Sequence, residues 1–157
     1  MGEVEEEMII LKELDVKHIE NIIAFDKLCF PMDCWKEEDW KDLLEDERAT
    51  YYALLDGERI VGDVFIYNWK GEHDYVKIMN LAVHPEYRKQ GLAHKLLNHV
   101  TDEMKLHGMW RFCGETRESN AAMQKVFEDC GYTLSKIEEG YFDTESGYKY
   151  ELNIDKE

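Results

Sequence analysis

No apolar run in this 157-residue chain approaches the roughly 20 residues that cross a bilayer, so a spanning helix is not expected. The opening stretch, Met-Gly-Glu-Val-Glu-Glu-Glu, lacks the apolar segment of a secretory signal. Glu6 stands where a myristoylation signal has Ser or Thr, which argues against lipidation of Gly2. Cations are scarce. With 19 Lys and Arg against 35 Asp and Glu, the net charge is −16, which argues against nucleic acid or a membrane as partner and suits a cationic one. The same acidity also serves solubility. The four cysteines, Cys29, Cys34, Cys113 and Cys130, show neither CxxC spacing nor a histidine companion pattern. No metal site is expected, and the cysteines read as reduced packing thiols of a cytoplasmic protein. Repeats, linkers and low-complexity stretches are missing, so residues 1–157 read as one domain, long enough to bury a core unaided. Nothing distinguishes monomer from homodimer.

What is present is a strongly patterned middle. Residues 76–83, Val-Lys-Ile-Met-Asn-Leu-Ala-Val, are mostly apolar and rich in strand formers, and His84-Pro85 ends the run. Leu92, Leu96, Val100 and Met104 then recur every four residues, the pattern of an amphipathic helix. Between the two lies the basic loop Arg88, Lys89, Gln90, Gly91, followed by Leu92 and Ala93. A strand that ends and a helix that starts at once leave unpaired N–H groups at the helix start, which suit a phosphate or pyrophosphate. The loop has no Gly-Lys-Ser/Thr ending and no three spaced glycines, so it is not one of the two common nucleotide loops.

Around this centre the pattern predicts a first strand over residues 8–14, a helix capped by Asp15, and a second helix over 35–45. Between those helices, Phe30 and its apolar neighbours either anchor the loop on the core or wall a substrate pocket. Strands over 50–55 and 59–69 are joined by Asp56-Gly57, and residues 70–74 turn the chain into the central strand. After the central helix come a parallel strand over 110–116, a helix capped at Ser119-Asn120, and a closing antiparallel pair, 132–137 and 148–154, turning at Ser146-Gly147. Taken alone, Glu115 and Arg117 read as an ion pair on one strand face.

Residues 81–93, Leu-Ala-Val-His-Pro-Glu-Tyr-Arg-Lys-Gln-Gly-Leu-Ala, resemble the coenzyme A pyrophosphate loop of the GNAT acetyltransferase superfamily. Residues 115–122, Glu-Thr-Arg-Glu-Ser-Asn-Ala-Ala, resemble the Glu-x-Arg-x-Ser-Asn segment of its ribosomal-protein N-terminal acetyltransferase (RimI-like) branch. The resemblance implies an α/β (α+β) acyl-CoA N-acyltransferase fold, a mixed, mostly antiparallel seven-stranded sheet with about four helices. It implies acetyl-CoA as cofactor and direct acetyl transfer to a primary amine, a peptide N-terminus or a small cationic amine such as a polyamine. By the same resemblance Glu115 is the general base, and Arg88, Lys89, Gln90, Gly91, Leu92 and Ala93 hold the pyrophosphate. Asn120 meets the pantetheine arm, and the bulged end of the central strand, Leu81, Ala82 and Val83, supplies the oxyanion donor, with Val83 as the catalytic N–H. Tyr141 joins Phe30 as a candidate substrate contact. At Phe127 the branch carries a tyrosine that serves as general acid near the cofactor thiol. Either Tyr132 or Tyr141 replaces it, or the thiolate leaves unaided, or the chain is a non-catalytic acetyl-CoA sensor or scaffold.

Overall fold

The computed structural model describes residues 9–69, 74–142 and 144–154. Residues 1–8, and with them the start of the expected first strand, lie outside the described residues, as do 70–73 with His73. Strand β1 (Ile9–Leu14) leads through a 3-10 turn to α1 (Ile19–Cys29) and α2 (Glu37–Leu44). Asp15 caps that short turn, accepting from the Lys17 N–H, rather than capping α1 itself. Strands β2 (Ala49–Asp56), β3 (Arg59–Trp69) and β4 (Tyr75–Val83) follow, then α3 (Leu92–Leu106), β5 (Arg111–Arg117), α4 (Ala121–Asp129), β6 (Thr133–Phe142) and β7 (Glu145–Asn153). They form one seven-stranded sheet in the order β1-β2-β3-β4-β5-β7-β6, in which only β4 and β5 are parallel. Among the described residues, no helix is long and apolar enough to cross a membrane.

Alternation along the strands sorts the core onto two faces. Val64, Ile66, Val76 and Phe112 pack under α3 and α4, against Leu96, Leu97 and Val100. Tyr51, Ala53 and Phe65 point the other way, onto Ile22, Phe25 and Trp40 of α1 and α2. A leucine as fully buried as Leu96 contributes about 1.5–3 kcal/mol, so these two helical stripes carry much of the stability.

The closing hairpin departs from the expected one. Ser146-Gly147 is no turn but lies inside β7, where Gly147 pairs with Arg117. A Cβ on Gly147 would stand 2.7 Å from the Tyr141 ring, so this glycine lets an aromatic lie flat on the strand. Both strands of the pair are consequently longer than expected, and Tyr141 and Phe142 belong to β6 rather than to a loop.

Two acids, Asp26 and Asp63, are buried between the sheet and the α1/α2 layer. Asp63 is 1% exposed, accepts a 2.6 Å hydrogen bond from the Tyr51 hydroxyl through Oδ2, and leaves Oδ1 without a partner. Burial pushes its carboxyl up to about 7. An acid whose folded-state pKa is raised binds its proton more tightly folded than unfolded. Its neutral form therefore supports the fold below about pH 4, and that support is lost as pH rises to about 7. The loss is on the order of 4 kcal/mol. Asp63→Asn should flatten this part of the pH dependence in urea melts from pH 4 to 8; an unchanged slope would place its source elsewhere.

Candidate active site

The parallel pairing of β4 and β5 is short: Val76 with Phe112, Lys77 with Cys113, Ile78 with Gly114. Beyond that point β4 runs on to Val83 and β5 to Arg117 unpaired with each other, so the sheet splits open. The β4 bulge lies at Met79, between Ile78, which pairs with Ile66, and Asn80, which pairs with Phe65. It was expected at residues 81–83, which instead continue in register with β3. The bulge turns the strand at the mouth of the split. His84 N–H donates to the Val61 carbonyl, and alternation then directs the Leu81 and Val83 N–H groups away from β3, into the split. The Val83 N–H is therefore free of the β3 ladder and faces the split. Ala82 faces β3 and serves the ladder.

At the end of β4 the chain makes a 3-10 turn over Pro85–Tyr87 and enters the basic loop. Lys89 (φ 66°) and Gly91 (φ 77°) both take left-handed backbone conformations. Gly91 precedes α3 with no side-chain cap, so the first N–H groups of the helix are left open. A Cβ on Gly91 would meet nothing within 4 Å, so its glycine answers to backbone conformation rather than crowding. Arg88, Lys89 and Gln90 are exposed, Leu92 is buried and Ala93 half-buried. Arg88 is partly committed, its Nε donating to the Val83 carbonyl at 3.3 Å. The loop fits a pyrophosphate: open N–H groups on a helix terminus, two cations and no carboxylate in the residues 88–93.

Glu115 stands on β5, half-buried beside the split. It is not paired with Arg117. Strand twist and register instead bring Lys77 of β4 within 4.0 Å and Lys149 of β7, its direct cross-strand partner, within 3.6 Å. The Tyr141 hydroxyl donates to Glu115 Oε1 at 2.8 Å. Burial, then this hydrogen bond, raises the Tyr141 phenol, which stays a proton donor through the neutral range. Of the alternative phenols, Tyr132 lies 2% exposed behind Phe127. Phe127 itself is 2% exposed, stacked on Tyr150 at 5.3 Å, and its ring occupies the space a Cβ on Gly114 would need. It closes the floor of the sheet where the split begins.

Arg117 ties three elements together. Its guanidinium grips Asp33 in the α1–α2 loop at 2.7 and 2.9 Å, pairs with Glu145 of β7 at 3.2 Å, and lies over the Phe142 ring at 4.3 Å. In that loop Phe30 packs half-buried against the core, while Met32 turns outward, 92% exposed. Asn120 caps α4, its Oδ1 accepting from the Met123 N–H at 3.1 Å, which leaves its side-chain NH2 to donate to a ligand. His84 is held by Glu86 N–H on Nδ1 and by Arg59 on Nε2. Of the other histidines, His94 gains a partner the sequence did not suggest, Asp129 at 3.0 Å. The cysteines are unpaired thiols, and burial raises Cys29 to about 12 and lifts Cys113 and Cys130, so none of these three is poised as a thiolate. No metal-holding cluster occurs among the described residues. Lys77, Lys149 and Asp33 are the site residues that sequence reasoning missed. Only Lys149 left a signal, by alternation opposite Glu115.

The sequence matches the Acetyltransferase (GNAT) family over residues 17–132, well over half of the chain. It is 36% identical over 74 residues to the ribosomal protein bS18-alanine N-acetyltransferase of Escherichia coli K12, a stretch that is 47% of this chain and 50% of that protein. The chain thus spans about half the length of the curated relatives it first matches. In structure it is similar to the ribosomal-protein-S18-alanine N-acetyltransferase from Escherichia coli, with TM-score 0.84, 24% identity and 94% of each chain covered. It is also similar to Arabidopsis thaliana NAA60 in complex with a bisubstrate analogue, with TM-score 0.83, 16% identity, and 96% of this chain and 100% of that one covered. At these identities the two structures show the fold.

Proposed function

Because the chain belongs to the GNAT acetyltransferase family, we propose that it transfers the acetyl group of acetyl-CoA to the α-amine of a peptide or protein N-terminus by direct attack in a ternary complex. The observation that carries this reading is Glu115 at the mouth of the split, its carboxylate oriented by Tyr141 at 2.8 Å. The relative named for N-terminal alanine acetylation supports the choice of acceptor.

Acetyl-CoA supplies a thioester whose thiolate is a good leaving group. The residues do the rest. Arg88, Lys89 and the open N–H groups from Gly91 onward hold the pyrophosphate, and the amide nitrogen of Asn120 meets the pantetheine arm. The Val83 N–H, aimed into the split, donates to the carbonyl oxygen as negative charge grows there. Glu115 accepts the amine proton, directly or through one water. Two lysines within 4 Å of that carboxylate disfavour a third cation and so favour an amine that loses its proton easily. An α-amine, with pKa about 8, satisfies this far better than a lysine or polyamine amine near 10.4. The Tyr141 phenol is the proton donor placed beside Glu115, whereas Phe127 packs on the other face of β5, under Gly114, and carries no hydroxyl.

Thiol release from acetyl-CoA, followed over a panel of free-N-terminus peptides and the same peptides with blocked termini, tests the reading. Release that depends on the free terminus supports it. Acetyl-CoA binding without release from any peptide would overturn it, leaving a cofactor-binding module.

Arg117 enters as a positioning residue, since it joins the α1–α2 loop to β6 and β7 on either side of Glu115. Arg117→Gln should raise the acceptor KM by roughly tenfold with kcat and the acetyl-CoA Kd little changed, because it loosens uniform acceptor binding. A fall in kcat with KM unchanged would contradict that role.

A further inference from the structure

Beside Glu115 the sheet face away from α3 and α4 is hollowed into a cavity of about 340 Å³. Its floor is three strands wide. Tyr75 and Lys77 come from β4, Arg111 and Cys113 from β5, and Lys149 and Glu151 from β7. In a chain with 35 acids and 19 bases this floor holds three cations, Lys77, Arg111 and Lys149, against two carboxylates, Glu115 and Glu151. Most of these charges are matched: Lys149 lies 3.0 Å from Glu138, and Arg111 lies 3.7 Å from Glu151. Lys77 is the exception, since its pair with Glu115 spans 4.0 Å and its side chain is 32% exposed. The neighbouring hollow is acidic, lined by Asp39 and Asp42 of α2 with Trp35, Leu43 and Met79. With Glu138 counted, three cations meet three carboxylates, so the floor is close to neutral in a strongly acidic chain, and Lys77 is its least closely matched charge.

We propose that this cavity receives the acceptor residue that follows the reacting amine, and that it selects an acidic side chain there. The inference rests on the acetyltransferase reading above, since it fixes the amine at Glu115. Lys77 sits opposite Cys113, two residues from Glu115 along β5, a rise of roughly 6.6 Å. An extended peptide advances about 3.3–3.6 Å per residue, so the carboxylate of an aspartate or glutamate in second position reaches Lys77 when the α-amine is at Glu115. The anion would give Lys77 a partner closer than Glu115, its ion-pair partner at 4.0 Å among the described residues, and would draw its positive charge off the incoming amine. A basic residue in the same place would meet Lys77 and Arg111 and be repelled. Tyr75 closes the far end, stacked on the half-exposed Trp69 at 6.3 Å, an aromatic wall for the residue beyond.

The test is kcat/KM at saturating acetyl-CoA for three peptides that differ only in second position, glutamate, glutamine or lysine, at low and at high salt. Wild type should prefer glutamate to lysine by about tenfold or more, with glutamine between, and salt should compress the ratio. Lys77→Glu should abolish or invert the ratio, which is read within each protein and so is independent of any change in overall rate. Arg111→Gln, more distant from Glu115, should weaken it. Turnover of all three peptides with equal efficiency, or a ratio that survives Lys77→Glu, overturns the acidic pocket and leaves the acetyltransferase reading standing. Failure to turn over any free-terminus peptide overturns both.

Discussion

Glu115→Gln should lower kcat/KM for a peptide acceptor by about 10²-fold or more at neutral pH, with the acetyl-CoA Kd changed less than about twofold. Glutamine keeps the shape, and it can still accept from Tyr141, so the loss isolates proton acceptance from orientation. It also removes the negative charge shared by Lys77 and Lys149, leaving two ammonium groups where the amine must arrive. The defect should shrink at high pH, because an α-amine with pKa about 8 then arrives already deprotonated. A rate insensitive to this substitution would move the base elsewhere.

The second large effect concerns the scaffold that sets the split. Asp26 is 2% exposed, and its carboxylate accepts from the Trp35 N–H and the Trp40 indole N–H, both at 2.9 Å, and from the Asn80 amide at 3.3 Å. One side chain thereby fixes α1 to the start of α2 and both to β4 beside the Met79 bulge. Asp26→Ala would leave these donors without their acceptor in a buried site. The expected cost is about 3–5 kcal/mol, the scale for stranding several donors of a buried charged group. In a chain of this size that lowers Tm by roughly 10–15 °C. Asp26→Asn, which retains one acceptor oxygen, should lose distinctly less. Thermal melts of the three proteins decide it; equal Tm values would show that the three hydrogen bonds add nothing net.

The central strand, the loop and α3 were legible because their periods are clean and their ends are marked by His84-Pro85 and Gly91. The parallel pairing of β4 and β5 followed from the helix between them. Where reading failed, the determining contact was distant in sequence. Gly147 looked like a turn residue, yet its small size serves the Tyr141 ring six residues earlier. The Met79 bulge leaves no trace in an apolar run, since the ladder with β3 decides where a residue is skipped. Arg117 was read against its neighbour Glu115, whereas Asp33, 84 positions away, holds it. In α1 the apolar Leu28 is 50% exposed, while the acid Asp26 is buried because three donors converge on it. Glu115 and the basic loop were found by resemblance. Which charges surround Glu115 was not, because Lys77 and Lys149 reach it only once three strands are side by side.

The most direct test of α-amine transfer uses one peptide that carries both a free N-terminus and an internal lysine, incubated with acetyl-CoA and the protein. Fragment-ion mass spectrometry then locates the acetyl group. The account predicts acetylation of the α-nitrogen, dependent on Glu115, with the lysine left free. Acetyl on the lysine ε-nitrogen, or none on a peptide whose N-terminus is free while acetyl-CoA remains bound, would contradict it.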